Sequence, residues 1–160
     1  RNVATVAGAA LAASSRSELL LALLALAGHA AIVADQPRVL PLNELLADPG
    51  QLAGGLVTAL RLPWPAATVR GGLARVARTP GDAPIVAAVA VVDDAGRRLA
   101  VGGVAVGPLL LRLGADDDLD AALNAALACV DLLSDWQGSS EYRRAMAAVL
   151  SRRALDEAAS

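Results

Sequence analysis

At 160 residues the chain is sized for one domain or two small ones, and 14 basic against 16 acidic side chains leave a net charge of −2. Every basic side chain is Arg, which excludes a Schiff-base or phosphate-loop lysine, and the near-balance argues against a nucleic-acid surface. One cysteine, Cys129, and one histidine, His29, exclude an internal disulfide framework and a zinc cluster built from this chain.

In chain order, residues 1–16 are rich in Ala, Gly and Ser and lack a strong period. Ser17, then Glu18, a Leu/Ala run and Gly28 carry helix punctuation: a capping hydroxyl, an acid in the first turn and a glycine stop. The run from Leu19 to Gly28 is apolar all round but shorter than the roughly 20 residues of a membrane span, so a buried helix is expected. Ala30–Ala34 and Arg38–Leu40 read as short strands about the turn Asp35-Gln36-Pro37, and Leu42–Leu46 as a helical turn broken by Asp48-Pro49-Gly50. Leu56–Leu62 alternates loosely and ends at Pro63-Trp64-Pro65, the best boundary candidate.

Beyond the boundary, Thr68–Arg78 has strand character, and Ile85–Val92 and Leu99–Val106 form a hairpin pattern about Asp93-Asp94-Ala95-Gly96. Gly102 and Gly103 suggest a bulge or a close approach. Asp116–Leu133 reads as a helix. Ser139 or Ser140 caps a last one, with Tyr142, Met146, Val149 and Leu150 on its apolar side and Arg143, Arg144, Arg152 and Arg153 on its polar side. Strands followed by helices make this half, and the fold as a whole, α+β.

Taken in order, these pieces resemble a known family. Arg1-Asn2-Val3-Ala4-Thr5-Val6-Ala7-Gly8 followed by a leucine-rich helix is similar to the second flavin-contacting segment of the FAD-binding subunit of molybdenum hydroxylases. That group includes xanthine dehydrogenase and the medium subunit of aerobic carbon monoxide dehydrogenase. Leu60-Arg61-Leu62-Pro63 resembles the exit from the family's FAD domain, and Arg75 to Val86 the entry to its C-terminal domain. Leu99 to Ala105 resembles the family's strand ending in Gly-Gly-Val, and Gly138 to Arg144 with Val149 to Leu155 resembles its closing helix. The resemblance spans essentially the whole chain. It implies the remnant of a PCMH-type FAD-binding domain over residues 1–64. A CO dehydrogenase flavoprotein C-terminal-like domain would follow over 66–160, with an upstream part preceding Arg1.

The resemblance further implies an oxidoreductase subunit that relays electrons from iron–sulfur clusters through FAD to an acceptor. Its partners would be a molybdenum-cofactor large subunit and an iron–sulfur small subunit in a hetero-oligomer; the short apolar run, for its part, makes a soluble, cytoplasmic protein the expectation. It assigns no catalytic residue and no metal ligand to this chain. Cofactor contacts would come from Thr5, Val6, Ala7, Gly8 and Ala9, from Glu18 and from Val57. Backbone N–H groups in a tight turn suit a pyrophosphate. The family pattern there is Gly-Gly-Asn, so Ala7 is strained if its position needs positive φ, and Ala9 lacks the side-chain amide of Asn. Read as ordinary structure, the same residues are a turn before a helix, a first-turn acid and a strand core residue. Ala74 stands where the family has a Lys, and neighbouring Arg75 points to the other face of its strand. Asp82 reads as a turn cap, His29 as a partner of the helix end and Cys129 as a buried, inert thiol. The Arg face of the last helix and the turn Thr79–Asp82 are candidate docking surfaces. The competing function is a scaffold or docking subunit of the same fold without flavin. Substrate and electron acceptor are not written in this chain.

Overall fold

The computed structural model describes residues 5–12, 14–63 and 68–160. Residues 1–4 of the flavin-like motif, and the boundary residues Trp64 and Pro65, lie outside them.

Two antiparallel sheets organise the described residues. A short helix, α1 (Val6–Leu11), leads into α2 (Glu18–Ala25). Then come β1 (His29–Val33), β2 (Arg38–Pro41), α3 (Leu42–Ala47), a single 3₁₀ turn at Pro49–Leu52 and β3 (Leu56–Arg61). The first sheet has the order β2-β1-β3. The second sheet is a four-strand meander of β4 (Arg70–Val76), β5 (Val86–Asp93), β6 (Gly96–Gly102) and β7 (Leu109–Leu113). Helices α4 (Leu119–Ala128) and α5 (Ser140–Ala159) close the chain.

Local chemistry fixes the helix starts. The Ser17, Asp118 and Ser139 side chains accept hydrogen bonds from the first-turn amides of α2, α4 and α5. The end of α2 falls one residue before expectation. Ala27, at φ 54°, takes the left-handed position, and Gly28 N–H returns to Leu23 O at 2.8 Å.

The second sheet is covered on both faces. Along β5, Val86, Ala88 and Ala90 point toward α4 and α5, while Ala87, Val89 and Val91 point toward α2. A strand covered on both faces needs a continuous apolar run, which is what Val86–Val91 supplies. Helix α2 therefore belongs by sequence to the first region and by packing to the second sheet. Close approaches require glycine at two points: a Cβ on Gly72 would overlap the Ala154 carbonyl oxygen of α5, and one on Gly102 the Ser15 carbonyl oxygen. The first sheet is covered on one face, where Ala30, Ile32, Leu45 and Val57 form a small core beneath α1 and α3. Its other face leaves Val33, Val39 and Leu56 exposed.

Three sequence expectations need correction. Strand β7 was not foreseen; five residues of Leu and Arg between two turns carry too little periodicity to declare it. The helix expected over Asp116–Leu133 ends at Ala128, because the chain must turn for Leu133 N–H to reach Val104 O at 2.9 Å. The buried stripe of α5 is rotated by one residue: Arg143, Ala147, Leu150, Ser151, Ala154, Leu155 and Ala158 face inward, and Tyr142 is exposed.

Candidate functional site

Thr5 is the N-cap of α1, and its hydroxyl accepts the Gly8 N–H at 3.0 Å. The segment expected as a tight turn is thus a helix start, and Ala7 lies within the right-handed helix. No positive-φ strain exists at Ala7. The Val6 and Ala7 amides lie at the open end of the first turn, where a helix provides no internal acceptor. The side chains beside them are small, and residues 5, 6, 8 and 9 are exposed.

Glu18 opens α2. Its carboxylate accepts a 2.9 Å hydrogen bond from Arg75 Nη1 of β4, across 57 residues. The same guanidinium donates through Nη2 to the carbonyls of Pro80 (2.9 Å) and Asp82 (2.8 Å). Asp82 caps its own turn by accepting the Thr79 N–H at 3.2 Å. Arg75 and Ala74 do face opposite ways: Ala74 packs on the core beneath α5, and Arg75 reaches toward α2. Both side chains of the Glu18–Arg75 pair are about one-third exposed, so the pair contributes at most about 1 kcal/mol. Its value is positional: it ties the start of α2 to the β4–β5 turn.

Val57 is buried in the core of the first sheet, with Ile32 as its cross-strand partner and Leu45 above it. Its side chain faces protein. The structure thus places the seven candidate residues in three settings: an exposed helix start, a committed ion pair and a core position.

A flavin dinucleotide needs donors for its phosphates and an apolar slot for its ring. The first turn of α1, with outward amides and small neighbours, fits the phosphate portion. Neither the committed Glu18 carboxylate nor the inward Val57 side chain fits the ring portion.

Sequence reasoning missed a buried polar node. Arg143, expected on a solvated face, is fully buried. It donates to the carbonyls of Gly103 (2.6 Å), Ile85 (3.0 Å) and Gly138 (3.2 Å), and to Asp135 Oδ1 (2.6 Å). The Gln137 N–H and the Arg143 guanidinium hold the Asp135 carboxyl below its ordinary value of 3.8. The signal was present in the spacing, since Arg143 precedes the inward Ala147, Leu150 and Ala154 by four, seven and eleven residues. This removes Arg143 from the expected docking face. Arg152 is also committed, to Asp120 at 2.6 Å. Cys129, expected buried, is exposed at the end of α4. His29 is half-buried at the start of β1. Near the same end of the second sheet, exposed Trp136 lies 5.3 Å from the Arg78 guanidinium, and Arg16 donates to Gln137 Oε1.

Among the described residues no group of three or more His, Cys, Asp or Glu is placed to hold a metal ion, and no helix is long and apolar enough to cross a membrane. No family model matches the chain, and no curated protein matches it in sequence. Solved structures share its fold. A carbon monoxide dehydrogenase from Hydrogenophaga pseudoflava, lacking the Mo-pyranopterin moiety of the molybdenum cofactor, matches with a TM-score of 0.79 at 22% identity, over 99% of this chain and 61% of that one. A reconstituted CO dehydrogenase from Oligotropha carboxidovorans matches with a TM-score of 0.71 at 24% identity, over 96% and 60%. Quinoline 2-oxidoreductase from Pseudomonas putida 86 matches with a TM-score of 0.74 at 22% identity, over 97% and 60%. The chain thus has the fold of part of a chain from these oxidoreductases and spans about 60% of its length.

Proposed function

We propose that this chain is part of the FAD-binding subunit of a molybdenum hydroxylase, a relay in a hetero-oligomer with molybdenum-cofactor and iron–sulfur subunits. The observation that carries the reading is the shared fold over 96–99% of the chain, joined to a motif order that resembles this subunit from end to end. Bound flavin would accept electrons from the clusters and pass them to an acceptor. This chain's residues would do the holding. The first-turn amides of Val6 and Ala7 would face the pyrophosphate, with Gly8 and Ala9 keeping the approach open. Thr5 would fix that turn by its cap, and the Glu18–Arg75 pair would hold α2, and so α1, against the second sheet. Val57 would support the site from beneath rather than touch the cofactor.

One observation favours a second reading, a scaffold of the same fold without flavin: the Glu18 carboxylate is already engaged by Arg75. Flavin titration of the full-length protein that contains this chain separates the two. The relay reading expects saturable, one-to-one FAD binding and co-purification with iron–sulfur and molybdenum subunits. Co-purification without FAD binding would establish the scaffold, and neither would remove both readings.

A further inference from the structure

We propose a second ligand site, independent of the flavin reading: the cleft between the end of α2 and the β6–β7 pair binds a phosphate-type oxyanion. The argument begins with strand register. Arg98 of β6 lies directly opposite Arg112 of β7, on the face toward α2. Like charges so placed oppose pairing unless something offsets them. Arg98 is offset within the chain, by Asp93 at 2.6 Å and by the Ala25 carbonyl at 2.7 Å. Arg112 is not. It is exposed and makes no salt bridge or hydrogen bond among the described residues.

The space before Arg112 is concave. A cavity of about 60 Å³ is walled by Gly28, His29, Pro41, Asn43, Arg98 and Arg112, among others. The polar side chains in that wall are His29, Asn43 and the two arginines, all able to donate and none a carboxylate. It shares Ala27, Arg98 and Arg112 with an outer space of about 300 Å³, which Arg97 and Gly114 also line. There Arg97 is spent on the Gly114 and Asp117 carbonyls, so Arg112 is the guanidinium left to meet a ligand. The inner volume is about that of two waters, room for one oxyanion group. The outer volume is at the lower end for small organic ligands. A planar guanidinium with further N–H donors beside it suits bidentate recognition of phosphate. The ligand class is therefore an oxyanion of phosphate type, free or as the monoester of a small molecule. The left-handed turn at Ala27 carries the chain from α2 into β1 along the cavity wall.

His29 is the single histidine of the chain, so its ring resonances report this cavity without ambiguity. The full chain is titrated at fixed pH and ionic strength with inorganic phosphate, with AMP and, as control, with chloride. Saturable movement of the His29 signals by phosphate or AMP, absent with chloride, is expected. Tighter binding of AMP assigns the outer space to the organic portion, and equal binding assigns the site to the free anion. Arg112→Gln should weaken binding about tenfold or more, the size of one lost charge-assisted hydrogen bond. Its thermal stability without phosphate should stay equal or rise as the opposed charges are relieved. Asn43→Asp, which puts a carboxylate into the same cavity from an exposed position, should also weaken it. Movement that chloride reproduces, or equal affinity in both variants and the unsubstituted chain, overturns the proposal.

Discussion

The two sheets differ in how they are held. The second is covered on both faces, by α2 on one side and by α4 and α5 on the other, and is closed at one end by the buried Arg143 network. The first is covered on one face, has a four-residue core of buried side chains, and leaves Val33, Val39 and Leu56 open. Stability should therefore reside in the second sheet. The first is a thin layer whose helix start, α1, is free to meet something outside the chain. The resemblance points to the same division, since its flavin-like segment lies at α1 and its closing helix at α5.

The sharpest way to break this contrast is Arg143→Met. It leaves the Ile85 and Gly103 carbonyls without the guanidinium donor, while the Gly138 carbonyl keeps the Asp135 N–H, and should cost about 2–5 kcal/mol, the scale of two stranded buried acceptors. Urea unfolding measures it; a loss below about 1 kcal/mol would show that the network does not hold the second sheet. Gly72→Ala comes next. Its Cβ would push α5 off β4 and should cost about 1–3 kcal/mol, read by the same unfolding experiment.

Acid attacks the same node by another route. Because the Asp135 carboxyl is held below 3.8 in the folded chain, the stability it supplies is present above that value and is lost as pH falls through the lower, folded one. Thermal unfolding below pH 4 should show the loss, and Asp135→Asn should remove that part of the pH dependence. In the first region the expected effect is smaller and of opposite sign. Ala53 is left-handed, at φ 45°, on the exposed turn before β3, so Ala53→Gly should stabilise by about 1 kcal/mol.

The legible parts of the fold were those with local signals. The Ser17 cap, the hairpin about Asp93–Gly96 and the short strands around Asp35–Pro37 all follow from adjacent residues. The turn-capping role of Asp82 is equally local. What escaped the sequence depends on distant partners. Nothing near Glu18 announces Arg75, which is 57 positions away. Arg143 was hidden by residue type, because a guanidinium is ordinarily solvated; its carbonyl acceptors come from three separate segments. Ala7 was misjudged in its backbone: a Gly-Gly pattern suggested a strained turn, whereas Thr5 caps a helix there. Restoring glycine at position 7 therefore relieves no strain, and Ala7→Gly should weaken α1 by about 0.5–1 kcal/mol.

Amide hydrogen exchange on the full-length protein, with and without FAD, tests the division of labour most directly. Without FAD, β5, β6 and α5 should exchange slowest and the first sheet faster. With FAD, new protection should appear at Val6 to Ala9 and along the first sheet, while α5 stays unchanged. Protection confined to the second sheet, or no change anywhere at saturating FAD, would contradict the account.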